Sequence, residues 1–215
     1  MIADKSRAIQ VLDALAMLYP DARAELHFSN PFETLIATIL SAQCTDKRVN
    51  MVTEKLFALY PDAQSLAQLE PSELEPLIRE CGLYHNKAKN IIAACRALVA
   101  EYDGRVPDDR AKLMALPGVG QKTAGVVLMA AFGDPQLPVD THVFRVSHRI
   151  GLADANDPKK VETQLCALIP KDKWIFSHHL LIWHGRRVCH ALKPDCMACP
   201  LHNGLCERLG VDTGD

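Results

Sequence analysis

The 215-residue sequence has no apolar run approaching the roughly 18 residues needed to cross a bilayer, and its start, Met1-Ile2-Ala3-Asp4-Lys5, turns charged at once. A membrane span and a secretory leader are thereby excluded from the reading, and a cytoplasmic protein with no membrane partner is expected. Nor is there a charge excess. A formal net charge of −2 gives no global sign of nucleic-acid binding, so any attraction to phosphates must come from local patches. One such patch runs from Lys171 to Lys193 and contains Lys173, Arg186, Arg187 and several histidines. Also missing are internal repeats, low-complexity tracts and long linkers. No β-branched alternating run competes with the helical periodicity, so the expected fold is all-α.

What is present is helix punctuation. Ile9, Leu12, Leu15, Ala16 and Tyr19 recur at helical spacing and stop at Pro20, predicting an amphipathic helix over about Lys5 to Tyr19. Asn30-Pro31-Phe32-Glu33 supplies an N-cap, a first-turn proline and an acid three positions on. That helix should run to about Ala42. Thr45 is placed to cap the next, which runs through Leu56 to Tyr60 and ends at Pro61, and short helices are expected over Ala63 to Gln68 and from Pro71 or Ser72 to Gly82. Asn86 to Tyr102 reads as a helix with Ile91, Ile92, Cys95, Leu98 and Val99 inward, and Asp108 as the cap of a short helix ending near Ala115. Beyond Gly133-Asp134-Pro135, helices are expected over Thr141 to Arg149 with Asp140 as cap, from Asp157-Pro158 to Pro170, and over Lys173 to His184.

The eight cysteines fall into two groups. Cys44, Cys81, Cys95 and Cys166 lie among apolar neighbours, whereas Cys189, Cys196, Cys199 and Cys206 are spaced by six, two and six intervening residues. Four thiolates this close can wrap one soft-metal centre. Structural zinc commonly uses two close pairs, and this run has one close pair between wide gaps. The spacing favours a [4Fe–4S] cluster and leaves zinc open.

Between Cys95 and Cys166 lies Leu116-Pro117-Gly118-Val119-Gly120-Gln121-Lys122-Thr123-Ala124, followed by Val139-Asp140-Thr141-His142. Two glycines flanking one valine suit a tight hairpin in which backbone N–H groups can approach a ligand closely. The apolar run Thr123 to Phe132 then reads as a buried helix with Lys122 in its first turn. A helix start carries unpaired N–H donors and partial positive charge, so hairpin and helix together make a cradle for a phosphate. The same charge, with desolvation, favours the neutral, nucleophilic form of the Lys122 amine, and a nearby carboxylate opposes it.

Leu116 to Ala124 and Val139 to Val146 resemble the helix-hairpin-helix DNA glycosylases, and most closely the endonuclease III family. The resemblance implies a six-helix barrel-like domain over 24–134, and a second, discontinuous iron–sulfur domain formed by 1–23 and 135–215. It implies that Lys122 attacks a sugar and that Asp140 assists. Gln43, in Leu40-Ser41-Ala42-Gln43-Cys44, and Leu83, in Gly82-Leu83-Tyr84, are implied to plug or wedge the gap left by an extruded nucleotide. The Gly118 and Gly120 amides should hold a phosphate, with a monovalent cation possible at the hairpin carbonyls, and His142 is a candidate partner for DNA or for its own helix end. The family carries a four-cysteine [4Fe–4S] motif at Cys189, Cys196, Cys199 and Cys206, with a last gap one residue shorter than here. His202-Asn203-Gly204 is placed to absorb the extra residue. The cluster is expected to be structural and to present Arg186, Arg187 and Lys193 to the DNA backbone. The expected activity is excision of oxidised pyrimidines with cleavage at the abasic site, by a monomer acting on double-stranded DNA. The alternatives are an adenine-mispair glycosylase, whose members usually lack a lysine at the Lys122 position, and a non-catalytic iron–sulfur DNA-binding regulator.

Overall fold

The computed structural model describes residues 3–211. Among them the regular structure is helical throughout, and the chain divides into two compact units, Ala24–Asp134 and the combination of Met1–Arg23 with Pro135–Asp215.

The first unit contains α2 (Pro31–Leu40), α3 (Asp46–Leu59), α4 (Ala63–Ala67), α5 (Pro71–Ile78), α6 (Tyr84–Tyr102), α7 (Arg110–Ala115) and α8 (Gln121–Phe132), the helix that precedes them, α1 (Lys5–Leu18), belonging to the other unit. Helix α2 is its centre. Phe32 and every residue from Thr34 to Leu40 are buried, the pattern of a helix apolar all round. Its two threonines hide their hydroxyls by donating to the carbonyls four residues earlier, Thr34 to Asn30 O at 2.9 Å and Thr38 to Thr34 O at 2.6 Å. Helices α8, α3 and α6 pack on α2, while α4 and α5 pack on α6. Asn30 caps α2 as expected, accepting from Glu33 N at 2.9 Å, but the Glu33 carboxylate reaches one residue further back and accepts from both Ser29 N–H and Ser29 Oγ.

Several boundaries differ from the sequence reading. The cap of α7 is Asp109, whose carboxylate accepts from Lys112 N at 2.8 Å, not Asp108. Thr45 occupies the N-cap position of α3 without a side-chain cap bond. Helix α6 begins two residues before the expected Asn86, at Tyr84, because Gly82 and a left-handed Leu83 complete the turn there. Val99 is 39% exposed, since Cys95 and Leu98 already fill the inward face.

The second unit contains α1 (Lys5–Leu18), α9 (Thr141–Ile150), α10 (Pro158–Leu168) and α11 (Trp174–Arg187). Helix α11 is the spine, with α9 and α1 against it. Ala8 and Val11 join Leu12 and Leu15 in the buried stripe of α1, and Ile9 lies at its edge. Polar ties join the two ends of the chain: Arg7 binds the Glu207 carboxylate and donates to Ile150 O at 2.6 Å, Tyr19 Oη meets His184 Nδ1 at 3.3 Å, and Trp183 Nε1 donates to Arg23 O at 3.0 Å. Helix α11 runs three residues past the expected end. Gly185 permits this, because a Cβ there would lie 3.1 Å from His142 and Val146 on α9.

Burial pushes His179 of α11 down to about 4, and His184 likewise. Both are therefore neutral in the folded protein at neutral pH, whereas an unfolded histidine titrates near about 6.5. As pH falls through that value the unfolded chain takes up protons that the folded chain refuses. Stability declines until about pH 4, where both states hold them, at a cost on the order of 2–3 kcal/mol per histidine. Denaturation midpoints measured from about pH 7 to 5 should show this loss, and His179→Gln should remove one proton from its slope; an unaltered slope would acquit His179.

Candidate functional site

The hairpin between α7 and α8 is built by the chain's own packing. Leu116 and Val119 point into the core of the first unit, and Val119 N donates to Leu116 O at 3.1 Å to close the turn. Gly118 has φ +77°, and a Cβ there would sit 2.8 Å from Asn90 Cβ on α6, so the turn demands glycine twice over. Gly120 differs. Its φ of −90° is open to any residue, and a Cβ would meet nothing within 4 Å. The fold does not explain that glycine; a backbone left bare for something to approach does. Gly120 is the N-cap of α8 and Lys122 its second residue, exposed at the end of the helix where N–H groups lack intrahelical acceptors.

Gln43 and Leu83 share a property that the sequence reading did not anticipate. Both are exposed and both adopt left-handed backbone, with φ +53° and +49°, a conformation that costs a non-glycine residue on the order of 1 kcal/mol and gathers at functional turns. Leu83 is 56% exposed despite being apolar. The two turns are fastened together by Lys87, which is 4% exposed and donates from Nζ to Leu40 O and to Cys81 O, each at 2.8 Å. Burial pushes the Lys87 ammonium down, and the Cys81 and Cys44 sulfurs oppose that. Lys87 was missed as a structural cation, although its spacing to Ile91 and Cys95 places it on the inward face of α6.

In the second unit Asp140 is the N-cap of α9. Its Oδ1 accepts from His142 N at 2.9 Å and Val143 N at 2.8 Å, leaving Oδ2 out of the cap. His142 is half-buried, and its Nδ1 lies 3.2 Å from Arg145 Nη2. Burial pushes this imidazole down against the opposing pull of Asp140, with Arg145 and Arg186 acting in the same direction as burial. Arg145 also donates to Gly185 O and Cys189 O, at 2.9 and 3.0 Å, and Arg149, one turn on, donates to His190 O at 2.5 Å and Ala191 O at 2.9 Å. These two arginines hold the start of the cysteine segment and were also missed; their spacing of four on one helix face was the available signal. Of the expected basic residues, Arg186 is half-buried, and Arg187 stacks its guanidinium 3.6 Å over the Trp183 ring. Lys193 is exposed on left-handed backbone, φ +52°.

Cys189, Cys196, Cys199 and Cys206 line one cavity together with Arg149, His184 and Arg208. Among the described residues no three His, Cys, Asp or Glu side chains converge as the ligands of a single ion do. The thiols instead surround a common space, which suits a polynuclear cluster whose ligands stand apart. Burial pushes the Cys199 and Cys206 thiols up, so thiolates become favourable there only when a bound cation supplies compensating charge. Arg208 N–H is directed at Cys206 Sγ at 3.4 Å, and Arg149 Nη1 at Cys189 Sγ at 3.6 Å. The long gap closes on itself: His202 N donates to Cys199 O, Cys206 N donates to Leu201 O, both at 3.1 Å, and Gly204 turns at φ +90°. Leu201 is buried inside it.

Residues 36–171 match the HhH-GPD superfamily of base excision DNA repair proteins. Endonuclease III of Synechocystis is 51% identical over 203 residues, covering 94% of this chain and 92% of that protein, and endonuclease III of Escherichia coli K12 is 44% identical, covering 95% and 96%. The solved structure of a non-covalent endonuclease III–DNA complex superposes with a TM-score of 0.92 at 48% identity, over 96% of this chain and 97% of that one. A trapped endonuclease III–DNA covalent intermediate superposes with a TM-score of 0.91 at the same identity and coverage. With the hairpin, the helix-start lysine and the four-cysteine cavity in place, these likenesses show that the chain belongs to the endonuclease III family of helix-hairpin-helix base excision repair proteins.

Proposed function

We propose that the chain is a bifunctional DNA glycosylase and AP lyase that excises oxidised pyrimidines from double-stranded DNA. The observation that carries this reading is Lys122, an exposed amine in the first turn of α8 directly behind a glycine hairpin whose Gly120 backbone is bare. Chemistry on a base inside a duplex requires the nucleotide to leave the stack, at a cost of a few kcal/mol. Gln43 and Leu83, on strained and exposed turns, enter the space it vacates. The Gly118 and Gly120 amides bind a backbone phosphate, and the hairpin carbonyls offer a monovalent cation a seat. His142, Arg186, Arg187 and Lys193 supply further contacts to the strand.

With the nucleotide extruded, the Lys122 amine attacks the sugar C1′ and the damaged base departs. The opened sugar is then held as a Schiff base, and elimination breaks the strand on the 3′ side. Asp140, with Oδ2 outside the cap, stabilises cationic character on the sugar and moves protons. Cys189, Cys196, Cys199 and Cys206 would hold a [4Fe–4S] cluster, which supplies a rigid, positively compensated knot of chain rather than a chemical step.

A nicking assay on thymine-glycol and abasic duplexes separates the rivals. Strand breaks in both support the bifunctional enzyme, adenine release without breaks from an added oxidised-mispair duplex indicates the monofunctional relative, and binding alone indicates a regulator. Binding should also weaken steeply with rising salt, through release of counterions from the phosphates.

A further inference from the structure

Tyr19 and His184 tie the N-terminal segment to α11, and the chain of contacts continues to a cysteine. His184 is 1% exposed and lies in the wall of the cysteine cavity. Its Nε2 is 3.5 Å from Cys199 Sγ and its Nδ1 is 3.3 Å from Tyr19 Oη. Its backbone carbonyl accepts from Cys189 N at 2.8 Å, so this one residue of α11 touches both Cys189 and Cys199. Tyr19 is buried and held from two directions: the Trp183 ring meets it edge-on with centroids 6.1 Å apart, and the Arg187 guanidinium lies 5.6 Å from its ring centroid. We propose that Tyr19 and His184 are positioning residues for the cluster, a relay in which the tyrosine hydroxyl orients the imidazole and the imidazole N–H donates to the Cys199 sulfur. This rests on the reading that the four cysteines hold a [4Fe–4S] cluster.

The direction of each hydrogen bond follows from the sulfur. A cysteine sulfur bound to iron has no proton to give, so the hydrogen between Nε2 and Sγ belongs to the ring. A neutral ring with its proton on Nε2 leaves Nδ1 as an acceptor, and the Tyr19 hydroxyl is the donor placed there. Without that hydroxyl the ring proton is free to move to Nδ1, and Nε2 would then present a lone pair to the sulfur. The neighbouring cysteines are served differently: Cys206 faces the Arg208 backbone N–H at 3.4 Å, and Cys189 the charged Arg149 guanidinium at 3.6 Å. At Cys199 the donor is an imidazole whose proton a second side chain must place.

Hydrogen bonds to cluster sulfurs help to set the reduction potential, because reduction adds negative charge that a donor stabilises. Loss of the relay should therefore make the cluster harder to reduce. The expected change is about tenfold in the ratio of reduced to oxidised cluster at a fixed electrode potential, or roughly 59 mV for a one-electron couple.

The test uses the full chain purified with its iron, as wild type and as Tyr19→Phe, His184→Leu and His184→Gln. Iron content and visible absorption report the cluster, and voltammetry of protein adsorbed on graphite reports its potential. Tyr19→Phe removes one oxygen from a buried ring and keeps the packing, so full iron with a lowered potential is expected. His184→Leu should show the full tenfold change, and His184→Gln, whose amide N–H has comparable reach, should restore most of it. Should His184→Leu fail to hold iron, Tyr19→Phe and His184→Gln decide the matter. A tie that served only to join the chain ends would lower the thermal midpoint of Tyr19→Phe and leave the potential where it was. An unmoved potential in iron-replete Tyr19→Phe overturns the relay, whatever His184→Leu does. Zinc in place of iron in the wild-type protein would instead overturn the cluster reading, and the relay with it.

Discussion

Lys122→Gln protein is expected to bind an abasic duplex, release no base, cut no strand and form no borohydride-trappable adduct. The amide has a similar reach but no nucleophilic lone pair, so the loss in turnover should be about a thousandfold or more, the scale seen when a covalent nucleophile is removed. The fold should survive, because Lys122 is exposed at a helix start and substitutions at such positions usually stay within about 0.5 kcal/mol. Trapping retained in this variant would remove Lys122 from the mechanism. Asp140→Asn is the matching control, since asparagine caps a helix as well as aspartate and preserves the bonds to His142 N and Val143 N. Turnover should fall by at least about tenfold with DNA binding intact; unchanged turnover would reduce Asp140 to a cap.

Loss of the cysteine ligation should have the next largest effect. Cys199 stands between the 189–196 segment and the closed loop around buried Leu201, and Cys199→Ser should purify with little iron and without the visible thiolate-to-iron absorption. On the proposed reading a bound cluster would be a main tie of this segment, because Leu201 is its buried core member while Cys189, Cys199, Leu205 and Cys206 only fringe the apolar cluster of the second unit. Removal of the bound cluster should cost on the order of 4–5 kcal/mol, which lowers the thermal midpoint by roughly 10–20 °C in a chain of this size. Zinc alone in freshly purified wild-type protein would overturn the cluster assignment.

Local rules foretold a good part of this architecture. Asn30-Pro31, Asp140 and Asp157-Pro158 are found as helix starts because a cap is an interaction within three residues, and three residues of sequence contain it. The Asp108 assignment failed for the same reason: two adjacent aspartates are equivalent by pattern, and only the backbone path chooses Asp109. Lys87 illustrates a different limit. A lysine on an apolar face reads as an exception until its ammonium is seen to satisfy two carbonyls from different turns.

The sequence by itself determined the helical class, the hairpin with its lysine, and the four-cysteine grouping, because each depends on spacing along a short stretch of chain. The tertiary structure alone decided that α1 packs against α11, that Arg145 and Arg149 hold the cysteine segment, and that Lys87 ties the Leu40 and Cys81 carbonyls together. Those facts join residues far apart in the chain. Such contacts are selected by the shape and burial of the whole core, which no local periodicity encodes.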